Sequence, residues 1–254
     1  MQTKRKIKYT ITKNDLHLLY YLLVNKVASR KQINRDVYRG YWPQNTRKRL
    51  CKLKSDNLIK VKRPISTWKD QTLIYSLTSK GLQQISSYIN APLIKKRLES
   101  NSIEHDLNLV DIRQILKSKG FVNKYFTENQ IHNEARFYED ENLAIFNQLR
   151  FDALIEYSRD FKERFFIPIQ YERMEKSKER YKKILSDFYL ESSIPAIIYI
   201  TDNSKVENVI KEIENKIEPS KEDQKLFYGR LQDLSENRHR LKFYGQSDRL
   251  IEFE

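Results

Sequence analysis

Apolar residues Leu16, Leu19, Tyr20, Leu22 and Leu23 recur at helical spacing behind Thr12-Lys13-Asn14-Asp15, a capping box with its acid three residues after the Thr. The spacing predicts a first helix over roughly 13–26. A short second helix starts at Ala28-Ser29, with Ser29 as N-cap, Ile33 and Val37 facing inward and Gly40 at its end. Trp42-Pro43-Gln44-Asn45 leads into a third helix over roughly 45–56, with Gln44 or Asn45 near its cap and Leu50 and Leu53 on its buried side. Leu58 to Arg63 alternates apolar and basic residues, as a half-exposed strand should. Pro64 to Asp70 makes a tip, Thr72 to Leu77 returns as a second strand, and Thr78-Ser79-Lys80-Gly81 starts another helix.

The pattern then changes. Residues 82–100 read as helical, interrupted at Pro92, a stretch suited to joining two domains or pairing two protomers. Apolar positions 103, 107, 110, 112, 115 and 116 give a broad buried stripe that Gly120 ends. Strands are expected at 124–128, 150–157 and 164–172, with a polar segment around Asn129 to Asn142 between the first two. Pro168 suggests an edge or a bulge in the third. A helix from Ser177 to Tyr189 carries Tyr181, Ile184, Leu185 and Phe188 on one face. A buried strand over 194–201, a helix over 204–217 and short strands at Phe243-Tyr244 and Leu250-Ile251 complete the pattern. The simplest fold class is a two-domain α+β or α/β protein: residues 1–85, a linker helix over 86–100, and residues 101–254 as a mixed sheet flanked by helices.

Composition narrows the setting. The 254 residues are 39% hydrophobic, with 16 Tyr and 12 Phe to fill cores, and only 5 Gly and 6 Pro, which argues against low-complexity segments. No apolar run reaches membrane-spanning length, and the N-terminal Met-Gln-Thr-Lys-Arg-Lys has no apolar stretch behind it, so a cytoplasmic protein with no membrane partner is expected. Cys51, the single cysteine, excludes an internal disulfide and a Cys-rich zinc site; between Leu50 and Leu53 it reads as a small buried hydrophobe. No Walker-type Gly-Lys-Ser/Thr occurs, so no nucleotide partner is expected. His105, between Glu104 and Asp106, suits a hydrogen-bonded structural role; His17, His132 and His239 form no metal pattern with it. Abundant Lys, Asn, Ile and Tyr point to an AT-rich coding sequence, as in bacteria and mobile elements.

Charge changes the picture most. Residues 1–85 hold 20 Lys/Arg against 4 Asp/Glu, a net of +16, while residues 86–254 hold 28 against 30, a net of −2. The excess falls on the third helix (Arg47, Lys48, Arg49, Lys52, Lys54) and on the hairpin (Lys60, Lys62, Arg63, Lys69), with Trp68 at its tip. A short helix, a tight turn and a basic helix follow the helix-turn-helix plan. The helix would reach phosphates and base edges in the major groove, and the hairpin would grip backbone or minor groove. Double-stranded DNA is therefore the expected partner; the bland alternative is a solvated basic face.

Three resemblances follow. The order of elements over the first 85 residues, with Leu50 to Lys60 entering the hairpin and Tyr75-x-Leu77-Thr78-x-Lys80-Gly81 leaving it, resembles winged helix-turn-helix domains of bacterial regulators and replication proteins. Further on, Asp152 on one strand, Gln170-x-Glu172 on the next, a basic helix after it and Glu104 on the preceding helix resemble a PD-(D/E)xK nuclease core. Glu104-His105-Asp106-Leu107 with Asp111, Phe151-Asp152-Ala153, Gln170-Tyr171-Glu172-Arg173 and the Lys-rich helix ending in Tyr189 resemble the replication-relaxation family, which joins a winged helix to such a domain in plasmids and mobile elements.

The nuclease resemblance implies Glu104, Asp152, Gln170 and Glu172 as catalytic positions, with Asp152 and Glu172 ligating Mg²⁺ if the site is active. Gln170 replaces the acid such enzymes carry, and Glu172 stands where Lys is usual, with Lys176 or Lys178 as substitutes. A neutral amide oxygen weakens a Mg²⁺ site. The expectation is a double-stranded DNA-binding protein of a mobile element, a homodimer with no cofactor, acting in transcriptional control or in replication and relaxation. Its nuclease-like domain would be degenerate and kept for dimerisation or holding DNA. A metal-dependent endonuclease or nickase, and a protein-interaction adaptor using residues 190–254, are the alternatives.

Overall fold

Thr12 and Asp15 set the start of α1 (Lys13–Asn25): the Thr12 N–H donates to Asp15 Oδ2 at 2.7 Å and the Asp15 N–H to Thr12 Oγ1 at 3.3 Å. Two amide donors that a helix start leaves orphaned are thereby satisfied. Leu18, Leu19, Leu22 and Leu23 line the buried side of α1. A strand the hydrophobic pattern did not reveal, β1 (Val27–Ser29), precedes α2 (Arg30–Asp36), and Ser29 both ends the strand and caps the helix in a second capping box with Gln32. Three residues are too few to show a period of two.

Gly40, at φ +84°, turns the chain toward α3 (Pro43–Ser55). The helix starts two residues earlier than the polar residues suggested, because Pro43 takes the first helical position, where its fixed φ fits and its missing N–H costs nothing. Trp42 is the capping residue and supplies no side-chain cap bond. The antiparallel pair β2 (Ile59–Lys62) and β3 (Ile74–Leu77) follows, then α4 (Ser79–Ser86). The small sheet has the order β1-β3-β2. Gly81 is required here: a Cβ would lie 2.1 Å from the Leu58 carbonyl oxygen.

The computed structural model describes residues 10–62, 73–86, 100–120, 122–157, 164–237 and 239–253. The expected hairpin tip over 64–70 lies outside them, as does the expected linker helix apart from its end residues 86 and 100. The described residues up to 86 form one compact unit and those from 101 onward another.

The second unit begins with α5 (Ile103–Lys117) and β4 (Val122–Thr127). The expected polar segment is instead three short helices, α6 (Glu128–Ile131), α7 (Arg136–Glu139) and α8 (Glu141–Leu149). Thr127 caps α6 and Asp140 caps α8, while Ile131, Phe137, Leu143 and Phe146 supply the buried surface that docks them. Arg150, at φ +57°, ends α8, so the next strand, β5 (Ala153–Tyr157), starts three residues later than expected.

Then come β6 (Phe165–Glu172), α9 (Lys178–Leu190), β7 (Ile197–Thr201), α10 (Ser204–Ile217), β8 (Leu226–Arg230), α11 (Leu231–Glu236), β9 (Leu241–Tyr244) and β10 (Leu250–Phe253). They form a seven-stranded mixed sheet of order β10-β9-β8-β7-β6-β5-β4, in which β6, β7 and β8 run parallel. Pro168 marks neither an edge nor a bulge: β6 lies between β5 and β7 and pairs with β5 in continuous register. The parallel ladder to β7 starts only at Ile169, so the missing Pro168 N–H falls outside it.

Alternation along the strands feeds two cores. Leu154, Ile197, Tyr199, Leu226 and Tyr228 face α9 and α10, meeting Tyr181, Leu185, Phe188, Val206, Ile210 and Ile213. Ala153, Ile155, Ile169, Tyr171, Ile198 and Ile200 face the other side, with Ile112, Ile115 and Leu116 of α5. One buried carboxylate crosses the first core. Glu214, fully buried, accepts hydrogen bonds from Tyr189 Oη (2.5 Å), Tyr228 Oη (2.6 Å), the Leu226 N–H (3.0 Å) and Gln246 Nε2 (2.7 Å).

Candidate nucleic-acid interface and acid cluster

In the first unit, α3 carries the candidate residues. Thr46, Leu50 and Leu53 face inward, which leaves Arg47, Lys48, Lys52 and Lys54 exposed to solvent. The Thr46 hydroxyl donates to Asn34 Oδ1 at 2.6 Å and so fixes α3 against α2. Lys60 and Lys62 are half-buried on β2. Arg63, Trp68 and Lys69 lie outside the described residues.

Two expectations on α3 change. Cys51 is exposed rather than buried, because it stands one residue, a rotation of about 100°, from the inward Leu50. Arg49 is committed elsewhere: its guanidinium engages both oxygens of the fully buried Asp15, with Nε 2.5 Å from Oδ1. Burial alone would raise the Asp15 pKa, but the Arg49 and Thr12 hydrogen bonds outweigh it and hold the carboxyl below its usual 3.8. Arg49 therefore anchors α3 to α1. Nothing in the local sequence distinguishes it from Arg47; only the partner 34 residues upstream does.

In the second unit the predicted acids gather near the C-terminal end of β6, and each meets a cation. Asp152, just before β5, accepts from the Tyr171 N–H at 2.9 Å and lies 3.7 Å from His105 Nε2. Glu172 is 3% exposed and paired with Lys176. Glu104 on α5 is paired with Arg173. Lys178 instead meets Glu212 on α10 at 3.4 Å, so Lys176 is the one of the two that reaches the acids. Gln170 is buried on the α9 side of the sheet, and its Oε1 has no hydrogen-bond partner.

His105, expected in a hydrogen-bonded structural role, is the hub of the cluster. Its Nδ1 is 3.4 Å from Asp106 Oδ1 and its Nε2 is 3.2 Å from the Tyr171 carbonyl oxygen. Both ring nitrogens thus face acceptors, an arrangement that favours the doubly protonated ring. Burial would lower its pKa, yet Asp106 and Asp152 outweigh that and raise it to about 10. Glu172 behaves differently: burial, reinforced by Asp152, raises its pKa above the usual 4.5 despite Lys176 and His105. Tyr171, Asn108 and Asp202 extend the cluster, with Tyr171 Oη accepting from Asn108 Nδ2 at 2.6 Å and donating to Asp202 Oδ1 at 2.5 Å.

The donor set as arranged does not fit Mg²⁺. A divalent ion needs several unshared oxygens, whereas Glu104, Asp152 and Glu172 are each held by Arg173, His105 or Lys176. Among the described residues, no three His, Cys, Asp or Glu side chains are grouped to hold a metal ion. No helix among them is long and apolar enough to cross a membrane. No family model, curated protein or solved structure matches the chain.

Proposed function

We propose that this chain is a double-stranded DNA-binding protein whose N-terminal unit is a winged helix that reads duplex DNA with α3. The second unit would be a PD-(D/E)xK-like domain of the replication-relaxation type, its acids turned to structural ion pairs, used for dimerisation or for holding DNA. The setting that suits it is a plasmid or other mobile element, in transcriptional control or in replication and relaxation. One observation carries the reading. The +16 excess of residues 1–85 meets, on α3, a helix that leaves Arg47, Lys48, Lys52 and Lys54 exposed while Thr46 ties it to α2.

The test is fluorescence anisotropy of the full chain with labelled duplexes. Lys48→Ala is expected to weaken binding to every duplex, as loss of a phosphate contact does. Absence of binding at low salt would remove the proposal.

The second reading, a metal-dependent endonuclease, draws on Lys176 beside Glu172 and on the unpartnered Gln170 oxygen. It requires the three acids to exchange their cations for a metal. Incubating supercoiled, linear and branched DNA with the protein and Mg²⁺ or Mn²⁺ is expected to give no products. Cleavage that Asp152→Ala abolishes would establish the second reading instead.

A further inference from the structure

The largest side chain at the α3 start does not belong to the core. Trp42 is 79% exposed and Tyr41 50% exposed, on the turn that Gly40 makes between α2 and α3. Tyr41 is held in place: its hydroxyl accepts from Asn14 Nδ2 at 3.2 Å, and its ring meets Tyr38 edge-on at 5.9 Å. Tyr41 thus braces the turn on α1 and on Tyr38 just past α2, and the indole beside it stands in solvent. Gln44 in the first turn of α3 is exposed, and Lys48, four residues on and so on the same face, is exposed too.

An exposed indole at the start of a basic helix fits a surface that is apolar in patches and anionic in between. The major groove is such a surface, because thymine alone presents a methyl group there and phosphates line both rims. The Gln44 amide, which both donates and accepts, suits adenine N6 and N7.

Resting on the DNA-binding reading, we infer that Trp42 is a specificity-determining residue that packs on a thymine methyl in the major groove, with Gln44 on an adjacent adenine. Lys48 and its neighbours supply affinity without choice; Trp42 supplies choice. The site so defined prefers A·T pairs under the start of α3.

The experiment begins with duplexes selected by the full-length protein from a random-sequence pool. Trp42→Ala is expected to weaken binding to the selected duplex roughly tenfold, the discrimination ordinarily carried by one good base contact, and to leave binding to the unselected pool unchanged. Replacing the thymines of the selected duplex with deoxyuridine removes only their methyl groups. It should weaken the wild-type protein and leave Trp42→Ala unaffected. Because Trp42 is exposed, the variant should keep the wild-type melting temperature; a lowered one would make Trp42 a folding residue and overturn the inference. Equal losses on selected and unselected DNA, or a deoxyuridine effect that persists in the variant, would overturn it too. Failure of the wild-type protein to bind any duplex would count against DNA binding itself, a different outcome from these.

Discussion

Charge alone does not tell which arginine touches a partner and which holds the fold. Arg47 and Arg49 stand two residues apart on the same helix, yet one is exposed and the other engages a buried carboxylate. Removing one member of a buried pair leaves the other uncompensated, so Arg49→Ala should cost about 3 kcal/mol at neutral pH. The sign with pH follows from Asp15, whose pKa is depressed in the folded protein. Its stabilisation is complete above 3.8 and is lost as pH falls through the lower native value. The gap between wild type and Arg49→Ala in urea unfolding should therefore close toward acid. A gap that stays constant with pH would assign Arg49 a packing role instead. The same lesson governs the acids. Glu104, Asp152 and Glu172 were visible as a set in the sequence, and so was Lys176 beside Glu172, but the partners of the other two were hidden because Arg173 with Glu104 and His105 with Asp152 join residues far apart in the chain.

Elements were legible where their apolar stripe was wide. The spacing of Val206, Ile210 and Ile213 defined α10 at both ends, and Tyr181, Leu185 and Phe188 defined α9 within a residue. The three helices over 128–149 were hidden because each buries only one or two large side chains, too few to show a period. β8 and α11 escaped for a related reason: Leu226-Phe227-Tyr228 runs straight into Gly229 and a short polar helix. What joins α9, α10 and β8 is equally invisible in a pattern of hydrophobic positions, since it is the carboxylate of Glu214. Four donors converge on it, and all four are neutral. Glu214→Ala takes this acceptor from two tyrosine hydroxyls, the Leu226 N–H and the Gln246 side-chain amide, at about 1–3 kcal/mol for each group left unpaired. A loss of at least about 3 kcal/mol in chemical denaturation is expected, with Glu214→Gln intermediate because it keeps one accepting oxygen. A fully tolerated Glu214→Ala would show that water replaces the carboxylate.

At the scale of the molecule, charge separates into a basic unit and a near-neutral one, and the second still displays a basic helix. Arg180, Lys182 and Lys183 are exposed on α9, close in sequence to the acid cluster. Whether the proposed DNA binding involves one unit or both is therefore a question that net charge cannot answer, but salt dependence can. Each phosphate contact releases counterions and adds about 0.9 to the slope of log affinity against log salt for duplex DNA. If the first unit carries the binding, replacing Lys48 and Lys54 by Ala should lower the slope by about 2. Replacing Lys182 and Lys183 by Ala should leave the slope as it is, although the two pairs remove the same charge. Anisotropy titrations at several salt concentrations give both slopes from the full chain. Equal reductions for the two pairs would mean that the duplex runs across both units. The +16 of residues 1–85 would then describe only half of the binding surface.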